Sequence, residues 1–139
     1  MSSPEQNLAV VQAIYTAFGT GDINGILARL DEQVKWCVPD MPHVTYAGCR
    51  FGREGVREFF ALLAASQTNV DFALERLLAD AEKVCALGRY TWDVVATGKQ
   101  FTLEWVHVYT IANGRVTEFK EIFDPRPLIE AHRSGATQL

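Results

Sequence analysis

Cysteine is scarce in this chain. Cys37, Cys49 and Cys85 are its three cysteines, odd in number and without a CxxC spacing. That pattern argues against a disulfide framework or a zinc site and for reduced thiols in a cytoplasmic protein. Positive charge is also thin. The 13 Lys and Arg are scattered, and the net charge is −4, so no nucleic-acid footprint is expected. No apolar stretch approaches the roughly 20 residues of a membrane span. The opening Met-Ser-Ser-Pro-Glu lacks the basic and apolar regions of a signal peptide. There is no glycine-rich phosphate loop, nucleophile elbow, internal repeat or low-complexity segment. His43 and His132 fall at no ligand spacing. Neither a metal nor a cofactor is therefore expected.

What the chain does have is apolar content. At 48% hydrophobic over 139 residues it suits one domain, residues 1–139, burying roughly 65–70% of its unfolded surface. Ser3, Pro4 and Gln6 make a capping box with proline at the first helical position. Leu8, Val11, Ile14, Tyr15 and Phe18 then recur at helical spacing up to Gly19 and Gly21. Asp22 can cap a second helix with Ile23, Ile26, Leu27 and Leu30 on its buried stripe. A short strand fits 34–38, stopped by Pro39, and another fits 44–46. Residues 53–65 read as a third helix burying Val56, Phe59, Phe60 and Leu63. Strands follow at about 70–79, 83–97, 100–112 and 115–124. Helices first and consecutive strands afterwards indicate an α+β fold with a curved antiparallel sheet.

The segment 101–111 carries the most information. Alternate residues of a strand face opposite sides. One face reads Phe101, Leu103, Trp105, His107, Tyr109, Ile111, and the other includes Val106 and Val108. A strand apolar on both faces is covered on both, so His107 is enclosed and needs a partner. Gly98-Lys99 fits a two-residue hairpin, which would pair Trp92 with Trp105 and Tyr90 with His107. Asn113-Gly114 leaves the next register open. A two-residue loop puts Val116, Glu118 and Asp124 on the His107 face. A three-residue loop puts Phe119, Glu121 and Phe123 there, unless a later bulge returns Asp124.

Taken together, Gly21-Asp22-Ile23, Val34-Lys-Trp36 with Pro39, Tyr46-Ala-Gly48, Gly52-Arg-Glu-Gly-Val56, Trp105-Val-His-Val-Tyr109 and Phe123-Asp124 resemble the nuclear transport factor 2-like superfamily. The similarity is to its SnoaL-like polyketide cyclase and ketosteroid isomerase-like branch, and it covers nearly the whole chain. It implies a cone-shaped curved sheet closed by three helices from the N-terminal half, an apolar internal cavity and, commonly, a homodimer. By the same resemblance Tyr15 matches the oxyanion-binding tyrosine of ketosteroid isomerases, and His107 falls where they carry a protonated aspartic acid. Val38 occupies the place of their catalytic aspartate, with Asp40 beyond Pro39. Asp124 matches an acidic position of SnoaL-like proteins and limonene epoxide hydrolases.

Two readings of His107 follow. It is either a core imidazole satisfied by Tyr90 or a backbone carbonyl, or an acid/base group in a cavity. The catalytic candidates are His107, Asp124 and Tyr15, with Glu121 as the reserve carboxylate. Trp36, Tyr90, Trp92, Trp105 and Tyr109 suit either a core or the walls of a pocket for a small, mostly apolar ligand. The expected activity is cofactor-independent acid/base chemistry of isomerase, cyclase or dehydratase type on a small hydrophobic carbonyl or polyketide-like compound. A non-catalytic binding or dimerisation module is the alternative, and epoxide hydrolysis a third.

Overall fold

The computed structural model describes residues 3–133. Ser3 caps α1, Pro4–Thr20, by accepting from the Gln6 backbone while the Gln6 side chain answers the Ser3 N–H. Gly21, at φ +73°, closes that helix in the left-handed region that glycine tolerates. Asp22 then caps α2, Ile23–Leu27. The first strand is longer than its apolar core suggests, β1 running over Leu30–Val38. Strand β2 is Gly48–Phe51 rather than 44–46. Helix α3, Gly52–Ser66, buries Val56, Phe59, Phe60 and Leu63 as its spacing predicts. Strands β3, Gln67–Ala79, β4, Lys83–Val94, β5, Gln100–Ala112, and β6, Arg115–Ile122, complete the sheet.

The six strands lie in the order β2-β1-β6-β5-β4-β3 in one curved, unclosed sheet. Every pair is antiparallel except β1 and β6, which run parallel with Trp36 beside Phe119. A fourth helix, α4, Arg126–His132, was not visible in the sequence. It is only seven residues long, with Pro125 before it and Pro127 inside it, too short for a periodic signal. Its Leu128 and Ala131 are buried, and Thr97 Oγ1 donates to the Ala131 carbonyl. None of the helices among the described residues is long and apolar enough to cross a membrane.

The β4–β5 register differs from the sequence reading, and the β5–β6 register, left open there, is settled by a turn and a bulge. The β4–β5 loop spans four residues, with Asp93 opposite Gln100 and the Val94 N–H bonded to the Lys99 carbonyl. Trp105 therefore faces Gly88, and His107 faces Ala86. The slip relative to the Gly98-Lys99 turn is even, so the same residues still point inward. At β5–β6, Asn113 and Gly114 both take positive φ and Ala112 pairs with Arg115, making a two-residue turn. Ile111 then pairs with Val116 but Thr110 with Glu118, so Thr117 is an extra residue. This early bulge turns Phe119 and Glu121 inward, with His107 opposite Glu121.

Cysteine use differs too. Cys37 and Cys49 are register partners on β1 and β2, 4.0 Å apart at Cα, and they form a disulfide; Cys85 is free. The expectation of three reduced thiols fails because β2 forms at 48–51, which brings two distant cysteines face to face. The bond closes a loop of sequence separation 12, for which chain entropy gives about 3 kcal/mol. A Cys37→Ser/Cys49→Ser variant should therefore melt on the order of 10 °C lower. Reductant should lower the wild-type midpoint similarly and leave the variant unmoved. Equal melting of both proteins would show that the bond contributes nothing.

Candidate functional site

Inward-facing side chains of β5 begin the site. Phe101, Leu103, Trp105, His107, Tyr109 and Ile111 are all buried. Trp105 lies flat against His107, with ring centres 4.0 Å apart and planes 18° apart. Gly88 makes this possible. A Cβ at that position would come within 2.3 Å of the Trp105 ring and 2.4 Å of the Ala73 carbonyl. The strand thus carries a glycine where the indole crosses it. Phe119, turned inward by the bulge, meets the His107 ring edge-on at 4.9 Å and stacks on Trp36 at 3.9 Å.

A continuous hydrogen-bond chain runs through His107. The Tyr15 hydroxyl, supplied by α1, lies 2.7 Å from Nδ1. Nε2 lies 2.8 Å from Glu121 Oε2, with both side chains about nine-tenths buried. The same carboxylate oxygen accepts from the Tyr90 hydroxyl at 2.9 Å. Among the described residues Glu121 Oε1 carries no hydrogen bond. Two proton arrangements satisfy the chain with Glu121 ionised. With a neutral imidazole protonated on Nε2, Tyr15 donates to Nδ1. With an imidazolium, Nδ1–H donates to the Tyr15 oxygen and the Tyr15 O–H is released for another acceptor.

The tyrosines are held as phenols. Burial pushes the Tyr15 hydroxyl far above its ordinary range, with Tyr109 and the Glu121 carboxylate adding to it. Burial likewise raises Tyr90, reinforced by the charge of Glu121 and the hydrogen bond to it. Tyr109 is raised by burial against a lowering contribution from Tyr15. Tyr46 is raised by burial and then by Glu121, while its hydrogen bond to Gln67 opposes the shift. An ionised phenolate in this setting would lose its hydration and face the Glu121 carboxylate.

These groups border a cavity between the sheet and helices α1, α2 and α3, with a volume of about 70 Å³. One water needs roughly 10–15 Å³ on the same measure. Tyr15, Trp36, Tyr90, Trp92, His107, Tyr109 and Glu121 all line it. Trp105 does not; it backs His107 from behind. Asp124 is elsewhere: its side chain is 48% exposed and ion-paired with Arg126 at 2.7 Å, which lowers its pKa. The carboxylate beside His107 is Glu121, because the Thr117 bulge reverses which residues of β6 face inward. Two polar lining residues went unremarked as site candidates in the sequence. Tyr46, from the loop between β1 and β2, donates at 2.8 Å to Gln67 Oε1 at the start of β3. Tyr46 precedes Ala-Gly in the resemblance motif, but Gln67 has no sequence signal. Among the described residues no group of three or more His, Cys, Asp or Glu is arranged to hold a metal.

Fold and cavity together define an NTF2-like α+β domain with an internal, mostly apolar cavity. The same architecture occurs in an NTF2-like protein of Burkholderia xenovorans, 25% identical, covering 96% of this chain and 100% of that one at a TM-score of 0.87. An NTF2-like protein of unknown function from Burkholderia pseudomallei is 28% identical, with 93% and 98% coverage and a TM-score of 0.86. TerC, whose structure was determined in co-crystals with polyporic acid, is 28% identical, with 93% and 99% coverage and a TM-score of 0.81. No curated protein matches the chain. Residues 11–119 match the SnoaL-like domain, and the chain belongs to that family.

Proposed function

We propose that this protein catalyses cofactor-independent proton transfer on a small, largely apolar carbonyl compound, in the manner of an isomerase, cyclase or dehydratase. The observation that carries the reading is the Tyr15–His107–Glu121 chain, 2.7 and 2.8 Å long, on the wall of an aromatic cavity. A carbonyl oxygen would accept from the Tyr15 O–H while His107 donates Nδ1–H to the Tyr15 oxygen. Glu121 Oε1 would take the proton from the adjacent carbon. The C–H electron pair becomes the enolate double bond, and charge collects on the oxygen that Tyr15 holds. Glu121 thereby replaces Asp124 as the base in this account. Co-crystallisation of TerC, a relative of this size and fold, with polyporic acid supports binding of a small organic compound.

The test needs no knowledge of the natural product. Beta-tetralone is a flat bicyclic ketone whose acidic C–H exchanges with deuterium only after enolisation. Protein in D₂O should accelerate that exchange well above buffer, as followed by proton NMR. Saturable binding without acceleration for every enolisable ketone tried would favour the non-catalytic module.

We also propose a homodimer built on the outer face of the sheet. Leu78, Cys85 and Val108 are register partners there, beside Leu87, Val106 and Ile122. Leu78 and Ile122 are each 46% exposed. Such a patch on a twisted sheet suits a symmetric pairing. Light scattering should give twice the chain mass at micromolar concentration, and Val106→Glu should shift it to one chain mass. A wild-type monomer would remove the proposal.

A further inference from the structure

The cavity has a second polar locus, which the proton-transfer chain does not use. Tyr46 and Gln67 are both 4% exposed and both line the cavity. Phe59 packs against Tyr46 at 5.7 Å and against Trp36 at 5.9 Å, so this locus lies on the wall that α3 covers. Gln67 Oε1 is occupied by the Tyr46 hydroxyl at 2.8 Å. Among the described residues its amide nitrogen has no partner. Turned the other way, Gln67 would donate to Tyr46, and the Tyr46 O–H would be the donor left over. Either orientation leaves a donor without an acceptor. The indole N–H groups of Trp36 and Trp92, on the same lining, are sealed off without partners, so they do not supply this function.

Charge narrows what this donor can meet. Among the described residues, the charged or chargeable side chains lining the cavity are Glu121, His107 and the phenols held protonated, with no Lys or Arg. An anionic ligand would lose its hydration and face the Glu121 carboxylate, while any positive charge on His107 is already paired with that carboxylate. A ligand lacking any acceptor would leave the Gln67–Tyr46 donor unpaired, which costs about 1–3 kcal/mol when the cavity closes over it. A neutral oxygen acceptor is the match.

We infer that Gln67, positioned by Tyr46, is a specificity-determining residue that selects neutral ligands bearing a second acceptor oxygen besides the reacting carbonyl. The substrate class is then an uncharged, flat compound with two oxygen functions, such as a diketone or a ring ketone with an acyl group. Acidic compounds and simple monoketones are disfavoured. The identity of the reacting end rests on the proposed proton transfer; selection at the Gln67 end does not.

Three tetralones of matched size test this by quenching of tryptophan fluorescence. One carries an acetyl group on the ring far from its ketone, the second the isopropyl isostere, the third a carboxylate. Wild type should bind the acetyl compound roughly 3–10-fold tighter than the isopropyl compound, one net hydrogen bond, and should bind the carboxylate weakest. Gln67→Met should abolish the acetyl preference while retaining the isopropyl affinity, with circular dichroism reporting that the fold is kept. If that variant does not fold, the three wild-type affinities decide alone. Equal affinity of wild type for the acetyl and isopropyl compounds, or tightest binding of the carboxylate, would overturn the inference. So would a folded Gln67→Met variant that retains the preference. Deuterium exchange on unsubstituted beta-tetralone is measured separately. Its absence at saturating ketone, together with no exchange in the acetyl compound, would remove the proton-transfer reading and leave the selectivity result standing.

Discussion

Raising the pH should produce no tyrosinate absorbance until the protein unfolds. All four tyrosines of the chain, Tyr15, Tyr46, Tyr90 and Tyr109, have folded-state pKa values pushed above the ordinary value of 10.0, in each case chiefly by burial. Because the folded pKa exceeds the unfolded one, the associated stability is fully present below about pH 10. It is lost above that value, where the unfolded chain releases protons that the folded chain retains. Each tyrosine contributes a slope of about 1.4 kcal/mol per pH unit, so four give on the order of 5–6. A domain of ordinary stability, about 5–15 kcal/mol, should then unfold within roughly one to three units above pH 10. Near-ultraviolet tyrosinate absorbance and loss of circular dichroism should rise in one coincident step. A phenol that ionises reversibly near pH 10 with the dichroism intact would mean that the cavity wall is wetter than the packing indicates.

The second large effect separates two carboxylates three residues apart. Glu121→Gln keeps an oxygen that can accept from His107 Nε2–H and from Tyr90, so the hydrogen bonds persist while the base is lost. Exchange of a bound ketone should fall by about 10²–10⁴-fold, the usual contribution of an acid/base group. Asp124→Asn removes a surface partner of Arg126, half exposed and away from the cavity. Its exchange rate should stay within about twofold and its melting midpoint should hardly move, as for other exposed ion pairs. The reverse ranking would return the chemistry to Asp124 and make Glu121 a structural partner of His107.

That contrast also marks where the sequence stops being legible. Strict alternation along β5 identifies which side chains face inward, His107 among them, because a two-residue period survives any even slip of the hairpin. The four-residue register slip between β4 and β5 accordingly changes every partner without changing a single face. On β6 one unpaired residue, Thr117, decides between Glu121 and Asp124. Nothing in Arg115-Val-Thr-Glu118 distinguishes a bulge from a regular strand. Gly88 acquires its meaning only once Trp105 is known to cross it, and Gln67 becomes a site residue only through Tyr46. The Cys37–Cys49 bond depends on the placement of β2, which carries just four residues and no alternation. Helices α1 and α3 were readable from caps and spacing, whereas α4 is too short to show a period.

The central claim is that His107 works as one unit with Tyr15 and Glu121 on a bound carbonyl. It is tested most directly by the rate of deuterium incorporation into beta-tetralone, measured for wild type and His107→Gln at saturating ketone. Binding is followed in the same samples by fluorescence. The account predicts comparable affinity and at least a 10²-fold slower exchange in the variant. Equal exchange rates at equal saturation would contradict it.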